Sequence, residues 1–278
     1  MEQSYEERGY LKEDFRLFHL QSAMQESMQW HYHAFHKICV FLGGSDMCYG
    51  VEGRSYPLSP GDLVLVPQGC IHRPEIAPGT AYERMLLYIS PEFLRRVGEG
   101  EALERCFLRA SEEFHFVVRT GAKNRALLAR LLSLEQTLQT PGFAQELLTR
   151  SVFLEFLITL TRALDEHDLP YASASVADEK VAAILQYLTH HLTEKISIDD
   201  LAARFYISKY HMMRRFRAET GYTIHAYLTG KRLMLARELI GGGTPVMEAA
   251  CASGFGDYSA FSRAYRKQFG HPPGQTRR

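Results

Sequence analysis

Along residues 198–270 the apolar and polar positions follow one arrangement twice. Shifted by 49 positions, 201–221 lies over 250–270 without a gap. Ser208 then meets Asp257, Met212 meets Phe261, Arg214 meets Arg263, Phe216 meets Tyr265, Arg217 meets Arg266 and Gly221 meets Gly270. Self-similarity of this length marks one supersecondary unit used twice. In the first unit Ser197 is set to cap a helix over 198–205, with Asp200 completing a shortened capping box. Ser208 should cap a second helix running to Thr220, and Gly221 should end it in the left-handed conformation that glycine adopts cheaply. In the second unit Thr244 stands at the cap and Pro245 at the first helical position, where its missing N–H is no loss. Gly254, Phe255 and Gly256 make the turn, and Asp257 caps a helix running to Phe269. Two helices joined by a short turn form a helix-turn-helix, expected here at about 198–221 and 245–270.

The second helix of each unit has two faces. Met212 and Phe216, like Phe261 and Tyr265, fall four apart and turn to a core. Tyr210, Met213, Arg214 and Arg217 share another face, and Ser259, Ser262, Arg263 and Arg266 share its equivalent. On one helix such a face reads most simply as a solvated cationic surface. Repeated on both, it suits a DNA major groove, where a guanidinium forks onto guanine or holds phosphate. Base edges are expected to be read from Tyr210, Met213, Arg214, Ser259, Ser262 and Arg263. Phosphates should be held by some of Lys209, Arg215, Arg217, Arg266 and Lys267, with Ser208 and Tyr258 at the helix starts. Between the units, Ile224, Tyr227, Leu228, Leu235 and Leu239 mark one amphipathic helix over 223–240. At ~1.5 Å per residue it spans about 27 Å, enough to set two reading helices roughly one duplex turn, about 34 Å, apart.

These residues resemble the AraC/XylS family of transcription regulators. The likeness lies in Tyr227, Arg232, Ala236 and Leu239 of the middle helix. In the second unit it lies in Ala250, Gly254, Phe255, Ser259, Phe261, Ser262, Arg263, Lys267, Gly270 and Pro273, ending at Arg277. It covers 178–278. Ala249 departs from the family's usual Ile, which implies a looser core there, and Thr276 departs from its usual Tyr with little expected effect. The resemblance implies binding to double-stranded DNA, a small-molecule effector such as a sugar or related metabolite, a homodimer, and contact with RNA polymerase if the regulator is an activator. It implies no catalysis, and a place in the bacterial cytoplasm, with the nucleoid when DNA-bound.

Before residue 178 the pattern is different. Residues 1–14 are polar and read as an arm. Short β-type runs follow at 15–21, 38–42, 47–51, 54–58, 63–67 and 82–89, with Glu52-Gly53 and Pro60-Gly61-Asp62 as tight turns. Strands at this spacing indicate a small barrel or sandwich over about 15–90. The turn at Pro60, the apolar strand, Pro67 and then His72 resemble the second motif of the cupin superfamily, and His31-Tyr32-His33 resembles the first. That likeness implies an α+β chain of two domains: a cupin-like β-barrel with trailing helices, then an all-α double helix-turn-helix domain.

His31, His33, His36 and His72 are the candidate ligand-binding residues, and three readings of them stand. They line a ligand pocket, they pack at the barrel mouth, or three of them hold a transition metal. A cupin metal site adds a carboxylate after the paired histidines, and that place holds His36 and Lys37, so no metal and no other cofactor is expected. The metal reading carries the competing function, a metal-dependent cupin enzyme with a regulatory tail. Lys37 and Arg54, if turned inward, favour an anionic or polyhydroxylated ligand.

Helical periodicity takes over after Ser90, at 91–97, 101–109, 123–139 and 143–166, the trailing helices of a domain ending near 167. Leu127, Leu131, Leu134 and Leu138 form a two-heptad seam, and the 143–166 helix is apolar on most sides. The likeness implies a dimer interface here; the alternative is that both helices complete one monomer's core. Residues 168–177 are small and polar with Pro170 and read as a linker, and Asp178 caps the helix that opens the last domain.

Composition sharpens the division. The formal charge of the whole is zero, but 178–278 holds 15 Lys+Arg against 9 Asp+Glu, a net +6, leaving −6 in 1–177. A polyanion belongs on the basic part. The five cysteines, Cys39, Cys48, Cys70, Cys106 and Cys251, are scattered and lack a CxxC pair, which favours reduced thiols over a disulfide framework or zinc finger. No leader and no apolar run of about 18 residues is apparent, so no membrane is expected.

Overall fold

The structure, a computed structural model, describes residues 11–23, 28–99, 102–119 and 125–276. Most of the expected arm, the start of the 123–139 helix and Arg277 lie outside the described residues. The N-terminal half is built on two antiparallel sheets. One has the order β1-β7-β2-β5-β8, from β1 (Phe15–Ala23), β7 (Ala81–Ile89), β2 (His36–Gly44), β5 (Leu63–Val66) and β8 (Val117–Val118). The other has the order β4-β3-β6, from β4 (Arg54–Pro57), β3 (Cys48–Val51) and β6 (His72–Glu75).

Side chains alternate along β2 as a strand requires. Lys37 turns inward to Tyr49 and His72 of the small sheet. His36, one residue earlier, turns outward and stacks on Phe107 at 4.3 Å. β5 is buried throughout, as a strand covered on both sides must be. The β3–β4 turn has both residues at positive φ, Glu52 at 47° and Gly53 at 75°, the geometry that matches a hairpin's twist.

β6, β8 and the segment after the helices depart from the sequence expectation. His72–Glu75 contains Pro74 and was too short and polar to signal a strand. Val117–Val118 forms only through its pairing with β5. The stretch read as a linker does not hang free. Tyr171 bridges to Val118 and Ser175 to Ser55, while Leu169 and Ala172 enter the barrel core. Its small residues let it lie flat on the sheet edge, so the first domain's packing extends through Ser175.

Helices α1 (Pro91–Val97), α2 (Arg105–Glu113), α3 (Arg125–Gln139) and α4 (Gln145–Asp165) follow the strands, with α2 four residues later than its periodicity suggested. Leu127, Leu131 and Leu134 are buried within the monomer's own core, while Leu138 is exposed. The leucine seam therefore joins α3 to its own sheets and α4. The most exposed large apolar residues of this region are Phe143, fully exposed, with Leu147 at 68% and Leu148 at 51%.

The C-terminal domain holds α5 (Glu179–His190), α6 (Ile198–Arg204), α7 (Lys209–Thr220), α8 (Ile224–Gly241), α9 (Val246–Ala252) and α10 (Tyr258–Phe269). The capping logic holds in detail: Asp178, Ser197, Ser208, Thr223 and Asp257 each accept from a first-turn N–H. Gly221 and Gly270 close α7 and α10 at φ of 77° and 76°. One cap differs: Pro245, with no side-chain acceptor, is the N-cap of α9, because its extended backbone (φ −56°, ψ 140°) precedes the helix.

The repeat also differs in one respect. α6 and α9 superpose at a shift of 48, and α7 and α10 at 49. The bond from Ile207 N to Ala202 O has its counterpart in Phe255 N to Ala250 O, so Gly256 is an inserted residue in the second turn. Leu201 thus corresponds to Ala249, both fully buried. Thr276 is not idle either, since its hydroxyl lies against that of Tyr265.

Candidate DNA-reading surface and interior histidine cluster

α7 and α10 each bury one stripe, Met212, Phe216 and Thr220 in the first and Phe261 and Tyr265 in the second. What remains outward on α7 is Ser208, Lys209, Tyr210, Met213, Arg214 and Arg217; on α10 it is Tyr258, Ser259, Arg263, Arg266 and Lys267, with Ser262 half-buried. The basic side chains of this domain differ in what holds them. Lys180, Arg215, Lys231, Arg232 and Arg237 are each held by an internal partner. Lys209 pairs with Asp199. Arg214, Arg217, Arg263, Arg266 and Lys267 make no ion pair among the described residues, so their charges stay available to a polyanion. Arg215 leaves the expected phosphate set: it is tied to Asp178, which caps α5.

His31, His33 and His72 come together inside the first domain. Their ring centroids lie 4.4 Å (His31–His72), 4.8 Å (His33–His72) and 5.1 Å (His31–His33) apart. Nδ1 of His31 donates to Gln29 O at 2.9 Å and Nδ1 of His72 to Cys70 O at 3.0 Å, which makes each Nε2 an acceptor. Burial, then Lys37 and the two neighbouring imidazoles, hold His72 well below the usual histidine range, so it is neutral at pH 7. His36 does not join them. It faces α2, its Nδ1 accepts from Gln68 N at 3.2 Å, and burial followed by the Arg95 charge drives it down to about 3. The strand alternation that brings Lys37 inward removes His36 from the cluster. Arg54 likewise turns away, onto the Phe114 ring at 5.2 Å.

Ligand atoms of the three clustered histidines lie within 4.8 Å of one another, a donor set that suits a transition metal. Lys37 opposes it. Its Nζ stands 3.4 Å from His72 Nε2 and 3.0 Å from Tyr49 Oη, placing an ammonium directly beside one of the three donors. Burial lowers that ammonium only to about 8, so it is charged at pH 7, and the cluster does not fit a divalent ion.

The wall of this cluster is also the seat of the C-terminal domain. In Trp30-His31-Tyr32-His33 the odd residues turn to the cluster. Trp30 and Tyr32, with Ile71, join the core of α5–α8. Tyr222 Oη donates to Trp30 O at 2.8 Å, and Gln268 of α10 donates to Tyr32 Oη. Nearby, Glu52 is 1% exposed. Its carboxylate accepts from Tyr227 Oη at 2.6 Å, Lys231 Nζ at 2.6 Å and Ile71 N at 3.0 Å. Further along α8, Arg237 donates to Ala34 O at 3.0 Å and Glu238 accepts from Gln68 at 2.9 Å. Sequence reasoning missed Glu52, Trp30, Tyr32 and Lys231. The one local signal was an acid in a turn position that usually takes Asn, Asp or Gly.

Two family models match the chain: an AraC-like ligand binding domain over residues 17–157 and a helix-turn-helix domain over 201–278. The HTH-type transcriptional activator RhaS of Citrobacter koseri is 26% identical over 92% of this chain and 88% of its own length. RhaS of Escherichia fergusonii is 27% identical over 89% and 86%. Among solved structures, the DNA-binding domain of AdpA in complex with a target DNA is 30% identical over 35% of this chain and 88% of that one, with a TM-score of 0.33. No helix among the described residues is long and apolar enough to cross a membrane.

Proposed function

Because the chain belongs to the AraC family of DNA-binding transcription regulators, we propose that its interior histidine cluster is the effector site and that effector binding is read by α8. The observation that carries this is the alternation along 30–33. One two-residue-wide strip contributes His31 and His33 to the cluster and Trp30 and Tyr32 to the helix-turn-helix core. In an extended strip, neighbouring side chains are locked in opposite directions, so a group that displaces His31 or His33 also displaces Trp30 or Tyr32. Glu52, Tyr227 and Lys231 fix the same wall to the middle of α8, the helix that sets the spacing of α7 and α10. The regulator therefore changes, on binding, how its two reading helices are held. Its partners are double-stranded DNA, a small molecule and, as an activator, RNA polymerase, in the bacterial cytoplasm.

Trp30 is the chain's single tryptophan, so its fluorescence reports this wall alone. An effector should shift its emission and change DNA affinity over the same concentration range. In Glu52→Gln, which leaves the half-buried Lys231 without its counter-charge, the two responses should separate. An effector that alters DNA affinity with no change at Trp30 would contradict the route.

The exposed Phe143, Leu147 and Leu148 favour a homodimer through α4 and the turn before it, since exposed apolar side chains of this size mark contact surfaces. Leu147→Glu with Leu148→Glu should convert a dimer to a monomer in sedimentation. An unchanged mass would place the interface elsewhere.

A further inference from the structure

The described part of the chain pairs its buried carboxylates. Glu52 meets Lys231, Asp62 meets Arg119, Glu104 meets Arg95 and Asp178 meets Arg215. Lys37 is the exception. It is 6% exposed, and no carboxylate among the described residues lies within ion-pair distance. Among the described residues its Nζ meets Tyr49 Oη and His72 Nε2. The nearest other groups do not compensate it: the Cys39 thiol is pushed up by burial and stays neutral, and Arg84 is a like charge. An ammonium taken out of water without a counter-charge is strongly unfavourable. A chain that pairs the rest of its buried charges and leaves this one bare violates its own rule at one place, and such places are where function sits.

The neighbours narrow what would complete it. The backbone carbonyls of Gln29 and Cys70 set His31 and His72 with Nε2 as acceptors; that of His72 takes Lys37 Nζ at 3.4 Å and passes to a ligand hydroxyl once a carboxylate holds the ammonium. The phenol rings of Tyr49 and Tyr88 stand beside His72 and His33, where hydroxyl and ring face can meet a polar carbon skeleton. A ligand amine would add a second cation beside Lys37, which leaves hydroxyl as the donor. One ammonium balances one negative charge, which a carboxylate carries and a phosphate exceeds.

We propose that the site formed by Lys37, Tyr49, His31, His33 and His72 takes a small hydroxylated carboxylate, its carboxylate on Lys37 and its hydroxyls on the imidazole acceptors. This rests on the reading of the cluster as the effector site and replaces a neutral sugar with an acidic one.

The test uses the full chain with sodium D-glucuronate, D-galacturonate, D-gluconate and D-glycerate, against D-glucose, D-galactose and glycerol, at constant ionic strength. Melting temperature and Trp30 emission are followed together. At least one acid should raise the melting temperature saturably and its neutral counterpart should not. Lys37→Met and Lys37→Gln, checked for wild-type circular dichroism, should weaken that acid at least about 30-fold, while melting at or above the ligand-free wild type because the bare charge is gone.

Four outcomes overturn the proposal: neutral sugars bind and the acids do not, no acid binds, both variants melt well below the ligand-free wild type, or zinc chloride binds stoichiometrically and is lost in His72→Ala. The readouts separate the two claims. An acid that binds through Lys37 but leaves Trp30 and DNA affinity unmoved upholds the anion site and removes the effector reading. A neutral sugar that moves both does the reverse.

Discussion

At the scale of single residues, the separation of free from committed cations makes the DNA surface testable. Arg214 sits exposed on α7 with no ion pair among the described residues, at the position equivalent to Arg263. If it forks onto a guanine, Arg214→Ala should weaken specific binding by about 1–3 kcal/mol and relax the preference at one base position. Equal loss on specific and random duplexes would make it a phosphate contact. Arg215→Ala should instead lower the melting temperature, because it strips Asp178 of its counter-charge at the start of α5.

His36 supplies a pH dependence whose sign follows from its burial. Its folded pKa of about 3 lies below the unfolded value near 6.5;. The unfolded chain therefore takes up a proton that the folded chain refuses, and stability should fall as pH drops from 6.5 toward 3. His36→Gln should flatten that slope in acid melting curves. An unchanged slope would assign the acid response elsewhere. Glu104, raised to about 7 mainly by burial, acts in the opposite sense, its contribution falling as pH rises from 4.5 to 7.

At the scale of elements, the two turns of the repeat solve one problem in two ways. Gly254 at φ 89° turns the second unit, and a Cβ there would meet Thr193 backbone atoms at 2.9 Å. Gly254→Ala should destabilise the domain by at least about 2 kcal/mol, from left-handed strain together with the clash. The first unit makes its turn at Tyr206, φ 50° and 91% exposed, with no packing to offset the strain. Tyr206→Gly should stabilise by up to about 1 kcal/mol, read as a melting temperature a few degrees higher. A lower one would show that the tyrosine holds the turn.

The same elements show what was legible beforehand. Caps, glycines and apolar spacing are local, so α5–α8, α10 and most strands could be read from the chain within a few residues. The inserted Gly256 was not legible, because a one-residue shift in α6 and α9 still lays small and apolar residues over one another. β8 and the 168–177 segment exist only through partners distant in sequence. Among the candidate ligand residues, strand alternation separated His36 from the others, and its phase could be fixed only once β2 was paired. Lys37 carried the more informative side chain, one position along.

At the scale of the molecule, the first domain does not sit apart from the DNA-binding domain. Trp30, Tyr32, Glu52, Gln68 and Ala34 touch α8, α10 or the turn between α7 and α8, and none of these contacts uses the exposed faces of α7 and α10. The histidine cluster, the shared wall and the inter-unit helix thus lie in series, with the exposed faces of α7 and α10 left clear. The charge partition agrees with that order, since the net positive charge belongs to the domain that carries α7 and α10.

The most direct test is selection of duplexes from a random pool by the full-length protein at about 150 mM salt. Two helices held by one helix of 18 residues should enrich a site with two boxes about one duplex turn apart. Arg214→Ala should degrade one box and Arg263→Ala the other. Enrichment of a single box, or retention that tracks salt alone with no sequence preference, would contradict the paired reader on which the mechanism depends.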